Sequence, residues 1–524
     1  MHIIMIFVLA FLIRLINLNQ SLWLDETIVA KVVQTIPFHL IPIQFSPGDF
    51  HPPLYYLFMS LWSSVWGTSE IALRLPSILF SLITGLFIYK IGFLLKNKQL
   101  AVWAAIFFLF NPLIVYFSQE ARMYMMATML LTIVLYHFIK MYPFHNGETK
   151  DWIPPPIRRA GMTQKTIKKG INKNDVVLFN LFSVLSIFTF YGSAFFIAGM
   201  IVAYCVISTK RSAWRDLSTE FTLSLSNVLE MTRNIFNMTW GLVLAIFLLS
   251  PLLYQQIMNA RIGLVDVKNW SMVLGKAELK NVAMIFLKFA TGRISWFPKW
   301  SYYLIAGIPT AVVWLSVLIG MRKNKLFAYL FILPLLFGLF VSFWAPMMMY
   351  FRFLYLIPVM SLLLATAVIS TKSAKSDGRM ERSQVLRFLD GVYTELAECA
   401  RNDKSKYAIL FIFISFSLIY LLFPQFHRED WKKLTTTLNP NSRMYMILPS
   451  SDPITYYRNN LPVYELRDIE HAVIPEFISI IPYTSEIYGF DYHKILQSKG
   501  CLKKSEMKFR GDLSVEEWEC LKKA

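Results

Sequence analysis

PPLYYLFMSLWSSVWG, residues 52–67, is apolar enough for a bilayer but shorter than the roughly 20 residues a crossing needs. Its reading fixes the orientation of every helix after it, because a crossing here would invert all later ones. The rest of the chain settles the matter. Long apolar runs lie near 3–19, 74–95, 100–117, 122–141, 176–190, 192–209, 237–257, 301–320, 326–344, 350–370 and 406–423, about eleven in all. Between them stand basic segments: Lys96 and Lys98; the 142–175 stretch with Lys150, Arg158, Arg159, Lys165, Lys168, Lys169 and Lys173; the turn Arg322, Lys323, Lys325; and the 371–406 loop. With 52–67 laid on the membrane surface, all of these fall on one side, the cytoplasmic one by the bias of Lys and Arg toward that face. With 52–67 crossing, the alternation breaks at Lys96. The stretch is therefore expected to be a juxtamembrane helix with a Tyr- and Trp-rich interfacial face.

The composition agrees. Of 524 residues, 56% are hydrophobic and only 16% charged, against about 25% charged in an ordinary soluble domain. This excludes a multidomain soluble enzyme, a disordered chain, a coiled coil and a small disulfide scaffold. Lys and Arg number 52 against 33 Asp and Glu, a net charge of +19. Much of that excess sits in the cytoplasmic loops, so it reports orientation and not a nucleic-acid partner. The first run, IIMIFVLAFLIRLINL, has no A-x-A-like site after it and reads as a retained helix, not a signal peptide. The expected fold is a polytopic α-helical membrane protein of about eleven spans over residues 1–423. Its outer segments are 18–73, 258–300 and 424–524, the last a small extracytoplasmic α/β domain. That domain is read as a helix start at REDWKK, a strand MYMIL, a helix DPITYYRNN, then strands EFISIIP and LKKSEMKFRG. Cys205 falls in a helix and Cys399 in a cytoplasmic loop. Cys501 and Cys520 lie outside, where an oxidising compartment would permit a disulfide, and the sequence leaves their pairing open.

In a chain so poor in charge, polar residues at the outer face stand out. SLWLDETIVAKVV places Asp25 and Glu26 about six residues past the first span. A carboxylate backed by apolar groups near a bilayer suits a general base, while an acid in a first helical turn also simply satisfies free N–H groups. SPGDFHPPLYY brings Asp49 and His51 before the juxtamembrane helix, with Pro52 and Pro53 fixing its entry. There a protonated imidazole would meet a phosphate; the bland alternative is a solvated turn histidine. ALRLPSILF opens the second span with Arg74, either at phosphate depth or as a snorkelling anchor. SQEARMY sets Glu120, Arg122 and Tyr124 in a tight outer turn, where an internal Glu120–Arg122 pair is the structural alternative. FWAPMMMYFRFLYLIPVM puts Arg352, flanked by Tyr350 and Tyr355, about one turn into an otherwise uncharged helix. Lys288 and Arg293, in the second outer segment, read as interfacial anchors that could also serve acidic acceptors or lipid headgroups.

In this order the motifs LDE, HPPLYY, RLPS, SQEARMY and FRFLYLIP resemble the glycosyltransferase C superfamily. The branch they resemble is that of the bacterial relatives of protein O-mannosyltransferases and the lipid A aminoarabinose transferase. The resemblance covers roughly residues 1–365 and is densest in 20–125, and REDWKK is similar to the start of the C-terminal extension of bacterial members. It implies transfer of a sugar from a polyprenyl-phosphate carrier, outside the cytoplasmic membrane, with inversion at the anomeric carbon. By the same resemblance Asp25 is the base toward the acceptor hydroxyl, and Glu26 orients that base or a divalent metal. His51 faces the donor phosphate, where the aminoarabinose transferase has lysine. Phe50 stands where that transferase has a glutamate, and FRF replaces the commoner RY pair at Arg352.

Physical reasoning runs parallel to the resemblance. A phosphate-linked sugar already carries a good leaving group, so the demands are positioning and stabilisation of the departing charge. Arginine supplies this through its planar fork of donors, which makes Arg74, Arg122 and Arg352 candidates beside His51. Asp49, Glu120, Tyr124 and Tyr350 are expected in support. The partners expected are the lipid-linked donor, a lipid, glycan or protein acceptor, and membrane lipids. The alternative class is a transporter or lipid-carrier flippase. Such proteins place ionisable groups near the midplane in broken, repeated helices, whereas here the spans are nearly charge-free at their centres. No phosphate-binding Gly-rich loop, zinc HExxH site, Ser-His-Asp set or DNA-binding motif is present.

Overall fold

The computed structural model describes residues 3–95, 97–141, 172–215, 225–269, 271–369, 404–439 and 442–520. Lys96, Lys150, Arg158, Arg159, Lys165, Lys168, Lys169, Cys399 and most of the 371–406 loop lie outside them. The membrane module comprises α1 (Ile3–Leu15), α2 (Leu24–Thr35), α3 (Leu54–Trp66), α4 (Glu70–Leu94), α5 (Lys98–Leu109), α6 (Pro112–Phe117), α7 (Tyr124–Met141) and α8 (Lys173–Thr189). It continues with α9 (Ser193–Arg215), α10 (Leu225–Asp266), α11 (Ser271–Leu274), α12 (Leu279–Thr291), α13 (Lys299–Lys323), α14 (Lys325–Val341), α15 (Ile357–Val368) and α16 (Lys404–Leu422).

Every apolar run read from the sequence holds helix. Among the described residues, six helices are long and apolar enough to cross a membrane, and four more apolar ones, Ile3–Leu15, Lys98–Leu109, Ser193–Val206 and Lys325–Val341, are shorter. Local chemistry shortens them. In the 100–117 run, Asn111 breaks the helix and caps the next one by accepting from the Leu113 and Ile114 N–H groups, with Pro112 at its first turn. The 350–370 run opens as a 3₁₀ stretch, Tyr350–Leu356, before α15 begins. Arg352 thus lies in this 3₁₀ stretch and not one turn inside an α-helix. α3 spans 13 residues and ends at Gly67, whose φ is 75°. At about 1.5 Å per residue this falls well short of a 30 Å hydrocarbon core, as the surface reading expects. Its Tyr55, Tyr56 and Met59 are buried while Leu61, Val65 and Trp66 face outward.

One hydrophobic core unites the membrane helices. α13 crosses α15 closely enough that a Cβ on Gly320 would sit 2.2 Å from the Leu363 carbonyl oxygen, so glycine is required for the approach.

Residues 442–520 form a five-stranded sheet of β1 (Arg443–Met446), β2 (Val463–Glu465), β3 (Phe477–Ile480), β4 (Cys501–Phe509) and β5 (Leu513–Cys520), in the order β2-β1-β3-β5-β4. β1 pairs in parallel with β2 and β3, whereas β5 pairs antiparallel with β3 and β4. A cluster around Tyr445, Ile480 and Trp518 and another around Trp431, Met446 and Val515 pack its two faces. The expected strands MYMIL, EFISIIP and LKKSEMKFRG and both expected helices are present. β2 is only three residues, and β5 (LSVEEWEC) was hidden by its glutamates, though Leu513, Val515 and Trp518 all point inward. Cys501 and Cys520 face each other at the open end of the β4–β5 hairpin and form a disulfide. β4 is an edge strand, broken by a register shift between Lys503 and Ser505.

This domain rests on the loop that joins α1 to α4. The Tyr457 hydroxyl accepts from the Leu22 N–H at 2.8 Å, and the Tyr456 hydroxyl donates to the Thr68 carbonyl at 2.7 Å. Lys31–Asp452 and Lys432–Glu70 ion pairs, 2.7 and 3.0 Å, flank these contacts.

Candidate active site

The site is built on the start of α2. Its first turn carries Asp25 and Glu26, and the two have separate fates. Glu26 is fully buried and forms a two-pronged pair with Arg74, Oε1 to Nε at 2.8 Å and Oε2 to Nη2 at 2.6 Å. Glu26 Oε1 also accepts from the Ala121 N–H at 2.8 Å, and Oε2 from the Trp23 N–H at 3.4 Å. Arg74 spends its remaining N–H groups on the carbonyls of Leu18, Gln20 and Ser21. All five of its donors are thus occupied, which corrects the expectation that Arg74 meets the donor phosphate. Glu26 likewise has no lone pair to spare for a base or a metal. The pair instead ties the ends of α1 and α4, the start of α2 and the 118–123 turn into one rigid corner. No group of three or more His, Cys, Asp or Glu side chains that could hold a metal ion occurs among the described residues.

Asp25 looks the other way. Its side chain is 31% exposed and its Oδ2 lies 3.2 Å from Arg122 Nη2. The Glu120–Arg122 pair considered from the sequence does not form. Arg122 is nearly buried, its Nε has no partner, and its guanidinium lies 5.9 Å from the centre of the Tyr124 ring. Behind it, His51 Nδ1 stands 3.4 Å from Asp49 Oδ1. Gln256 on α10 fastens this loop by donating to the Ser46 and His51 carbonyls at 2.8 and 3.1 Å.

Burial raises and His51 and Arg122 lower the Asp49 carboxyl, and the net is a fall below the ordinary value. Burial pushes the His51 imidazole down, and the Arg122 and Arg352 charges add to that fall against the opposing pull of Asp49. The charged form of the resting imidazole is thus disfavoured, while its Nδ1 faces Asp49. Arg352 acts on His51 through its charge and makes one long hydrogen bond within its own segment, 3.3 Å to the Pro346 carbonyl, and its neighbour Phe351 packs on Tyr124 at 5.3 Å.

A second cluster adjoins the first and was largely missed in the sequence. Glu120 Oε1 accepts from the Tyr116 hydroxyl and from Arg428 Nε and Nη2 at 3.2 and 3.1 Å, while its buried Oε2 has no partner. Arg293 donates to the same Tyr116 hydroxyl. Arg428 lies over the Trp23 ring at 3.5 Å, two residues before Asp25. Tyr350 lies near both Arg293 and Arg428. Neither Lys288 nor Arg293 is an interfacial anchor. Lys288 is 4% exposed and donates to the Ile294 carbonyl at 2.7 Å and the Tyr302 hydroxyl at 3.0 Å, closing the loop that presents Arg293. Only the basic residue of REDWKK hinted at Arg428, and it stands 308 residues from Glu120 in the sequence.

Asp25, Asp49, His51, Glu120, Arg122, Tyr124, Tyr350 and Arg352 therefore gather at one end of the bundle, with Arg293 and Arg428 added and Arg74 and Glu26 withdrawn into support. The family described as dolichyl-phosphate-mannose-protein mannosyltransferase matches residues 50–155, the stretch carrying HPPLYY, RLPS and SQEARMY. No curated protein matches the chain. Among solved structures, ArnT from Cupriavidus metallidurans in the apo state is 11% identical, with a TM-score of 0.52 over 98% of this chain and 97% of that one. The chain has the fold of ArnT. The same protein bound to undecaprenyl phosphate gives 10% identity and a TM-score of 0.50 over the same shares. The oligosaccharyltransferase AglB from Archaeoglobus fulgidus, in complex with an inhibitory peptide and a dolichol-phosphate, is a weaker likeness: 13% identity, TM-score 0.44, 96% of this chain and 72% of that one. The ArnT likeness runs through both the membrane module and the outer sheet, and the resemblance to the glycosyltransferase C superfamily read from the motifs is borne out.

Proposed function

We propose that this chain is an inverting glycosyltransferase of the cytoplasmic membrane. It moves a sugar from a polyprenyl-phosphate donor to a hydroxyl or phosphate acceptor on lipid, glycan or protein, with its site and its C-terminal domain on the outer face. The observation that carries this reading is the meeting of a partly exposed carboxylate, Asp25, with a loop and turn bearing His51, Arg122 and Arg352. A base and a phosphate-sized group of cations are what displacement at a phosphate-linked anomeric carbon requires. The bound undecaprenyl phosphate of ArnT and the mannosyltransferase description of the matching family support the same donor class. The eleven crossings belong to this reading too, the short apolar helices included.

In the reaction, Arg122 orients Asp25 so that one carboxylate oxygen takes the acceptor proton. The acceptor oxygen forms its bond to the anomeric carbon as the carbon–oxygen bond to phosphate breaks on the opposite side, giving one inversion. The departing phosphate keeps the bonding electrons and is held by Arg352, Arg122 and His51.

The test is to incubate the purified protein in lipid with a panel of polyprenyl-phosphate sugars and follow donor consumption by mass spectrometry. The wild-type protein should consume one donor. Asp25→Asn should abolish transfer while donor binding stays near normal, and His51→Ala and Arg352→Ala should chiefly weaken donor engagement. Wild-type turnover by Asp25→Asn would overturn the assignment of the base.

A further inference from the structure

The loop that presents Asp49 and His51 has only the 3₁₀ turn Ser46–Gly48 to stiffen it, and α10 holds it from outside. Gln256, buried near the end of that helix, donates through Nε2 to the carbonyls of Ser46 and His51, the two ends of the loop. Its Oε1 accepts from the Tyr191 hydroxyl at 2.6 Å. Two carbonyls on one side demand the NH₂ group there and leave the oxygen for Tyr191, so the amide has one orientation. One turn further along α10, Asn259 Nδ2 donates to the Pro47 carbonyl at 2.7 Å.

The same helix ends in the C-terminal domain. Just past its last turn the Asn269 N–H donates to the Ile487 carbonyl at 3.0 Å, and Asn269 Nδ2 donates to the Glu486 carbonyl at 2.8 Å. Both carbonyls belong to the short helix Ser485–Tyr488. Gly489, at φ +66°, closes that helix so near to α10 that a Cβ on it would lie 3.2 Å from Lys268 Cδ. The turn is in its own right fixed to the domain, since Thr484 Oγ1 meets Ser450 Oγ at 2.8 Å and Tyr483 packs on the buried Trp431 at 4.9 Å. Between the two attachments runs about 15 Å of helix, from Gln256 to Asp266 at 1.5 Å per residue. Gly263 lies in that stretch, and a Cβ on it would meet nothing within 4 Å.

We propose that Gln256 and Asn259 are positioning residues for the loop that carries Asp49 and His51, and that α10 transmits the seating of the C-terminal domain to that loop. A rigid element with hydrogen-bonded ends is a physical route by which separate parts of a fold are coupled. The C-terminal domain then bears on His51 without touching it, through Asn269, the end of α10 and the Gln256 amide. The inference rests on the glycosyltransferase reading only for what the loop is used for.

The experiment uses the full chain in lipid nanodiscs. It reads amide hydrogen exchange at residues 46–51 by mass spectrometry, with undecaprenyl phosphate affinity and the melting temperature beside it. Gln256→Leu should speed exchange in that segment by about fivefold or more and weaken undecaprenyl phosphate by about tenfold, as two lost hydrogen bonds allow. Asn259→Ala, at an exposed position, should speed the same segment with an unchanged melting temperature, and Asn259→Gln, which keeps the amide, should bring it back. Asn269→Ala and Gly263→Pro lie outside the loop and its hydrogen bonds and should nonetheless speed its exchange, while Gly263→Ala matches the wild-type protein. If Gln256→Leu and Asn259→Ala exchange as the wild-type protein does, the positioning claim fails. It fails also if Asn259→Ala loosens every segment alike and melts lower, which would mark a purely structural residue. If the loop loosens in those two variants but not in Asn269→Ala and Gly263→Pro, the helix transmits nothing and the coupling claim fails. The donor reading is judged separately: a wild-type protein that does not bind undecaprenyl phosphate overturns it, whereas the exchange comparison needs no ligand.

Discussion

His51 is the residue whose state must change during the cycle. Burial and two neighbouring guanidiniums hold its pKa below the usual imidazole value, so it enters as a neutral ring. An arriving phosphate offsets those guanidiniums and supplies an acceptor for Nε2–H, which raises the pKa and draws in a proton. Binding of undecaprenyl phosphate should therefore take up a proton at neutral pH and strengthen as pH falls toward the resting pKa. Calorimetry in buffers of different ionisation enthalpy reads that proton directly, and His51→Gln should remove it. A proton count of zero in the wild-type protein would end the argument. Glu26 and Arg74 give a prediction of another kind. Each leaves an uncompensated charge if the other is removed, so Arg74→Ala should cost about 3–5 kcal/mol of stability and lower the yield of folded protein before activity can be assayed. At this scale the sequence showed which residues were unusual but not which were spoken for. Asp25 and Glu26 are adjacent in LDE, yet one is partly exposed beside Arg122 and the other turns into a buried corner, and only the fold around a first helical turn separates them.

Among the elements, α12 and its loop carry a measurable consequence. Burial, with Arg293 and Lys299 adding to it, lowers the Lys288 amine to about 7, from 10.5 for a free side chain. Between those values the unfolded chain binds the proton and the folded one does not, so stability rises with pH across that window, by at most about 1.4 kcal/mol per pH unit. Thermal melts from pH 7 to 9 should show an upward drift that Lys288→Met flattens. An unchanged slope in that variant would mean the amine stays charged in the fold. Elements of this kind were the most legible part of the chain. The apolar runs, the short helix at 54–66 and the helix and strand starts of the C-terminal domain all follow from local composition and pattern. The short breaks at Asn111 and before Ile357 were harder, because apolar composition continues straight through them. Arg293 and Arg428 escaped because the contacts that define them join segments more than a hundred residues apart.

For the molecule as a whole, the orientation still rests on charge. A cysteine-labelling scan with a membrane-impermeant reagent should find positions near 160 protected and positions near 440 labelled from outside; the opposite pattern would reverse the topology and move the site to the cytoplasm. If the scan holds, the sheet projects into a compartment crowded with other envelope proteins. The two ends of that sheet are strands with unpaired backbone, the usual template for joining a stranger's strand. β2 is three residues long, too brief to recruit a partner. β4 is longer but carries Lys503, Lys504 and Lys508 and is bent by its register shift, which blunts a flat approach. Neutralising those three lysines should leave the fold intact and turn a soluble appendage into one prone to edge-to-edge aggregation.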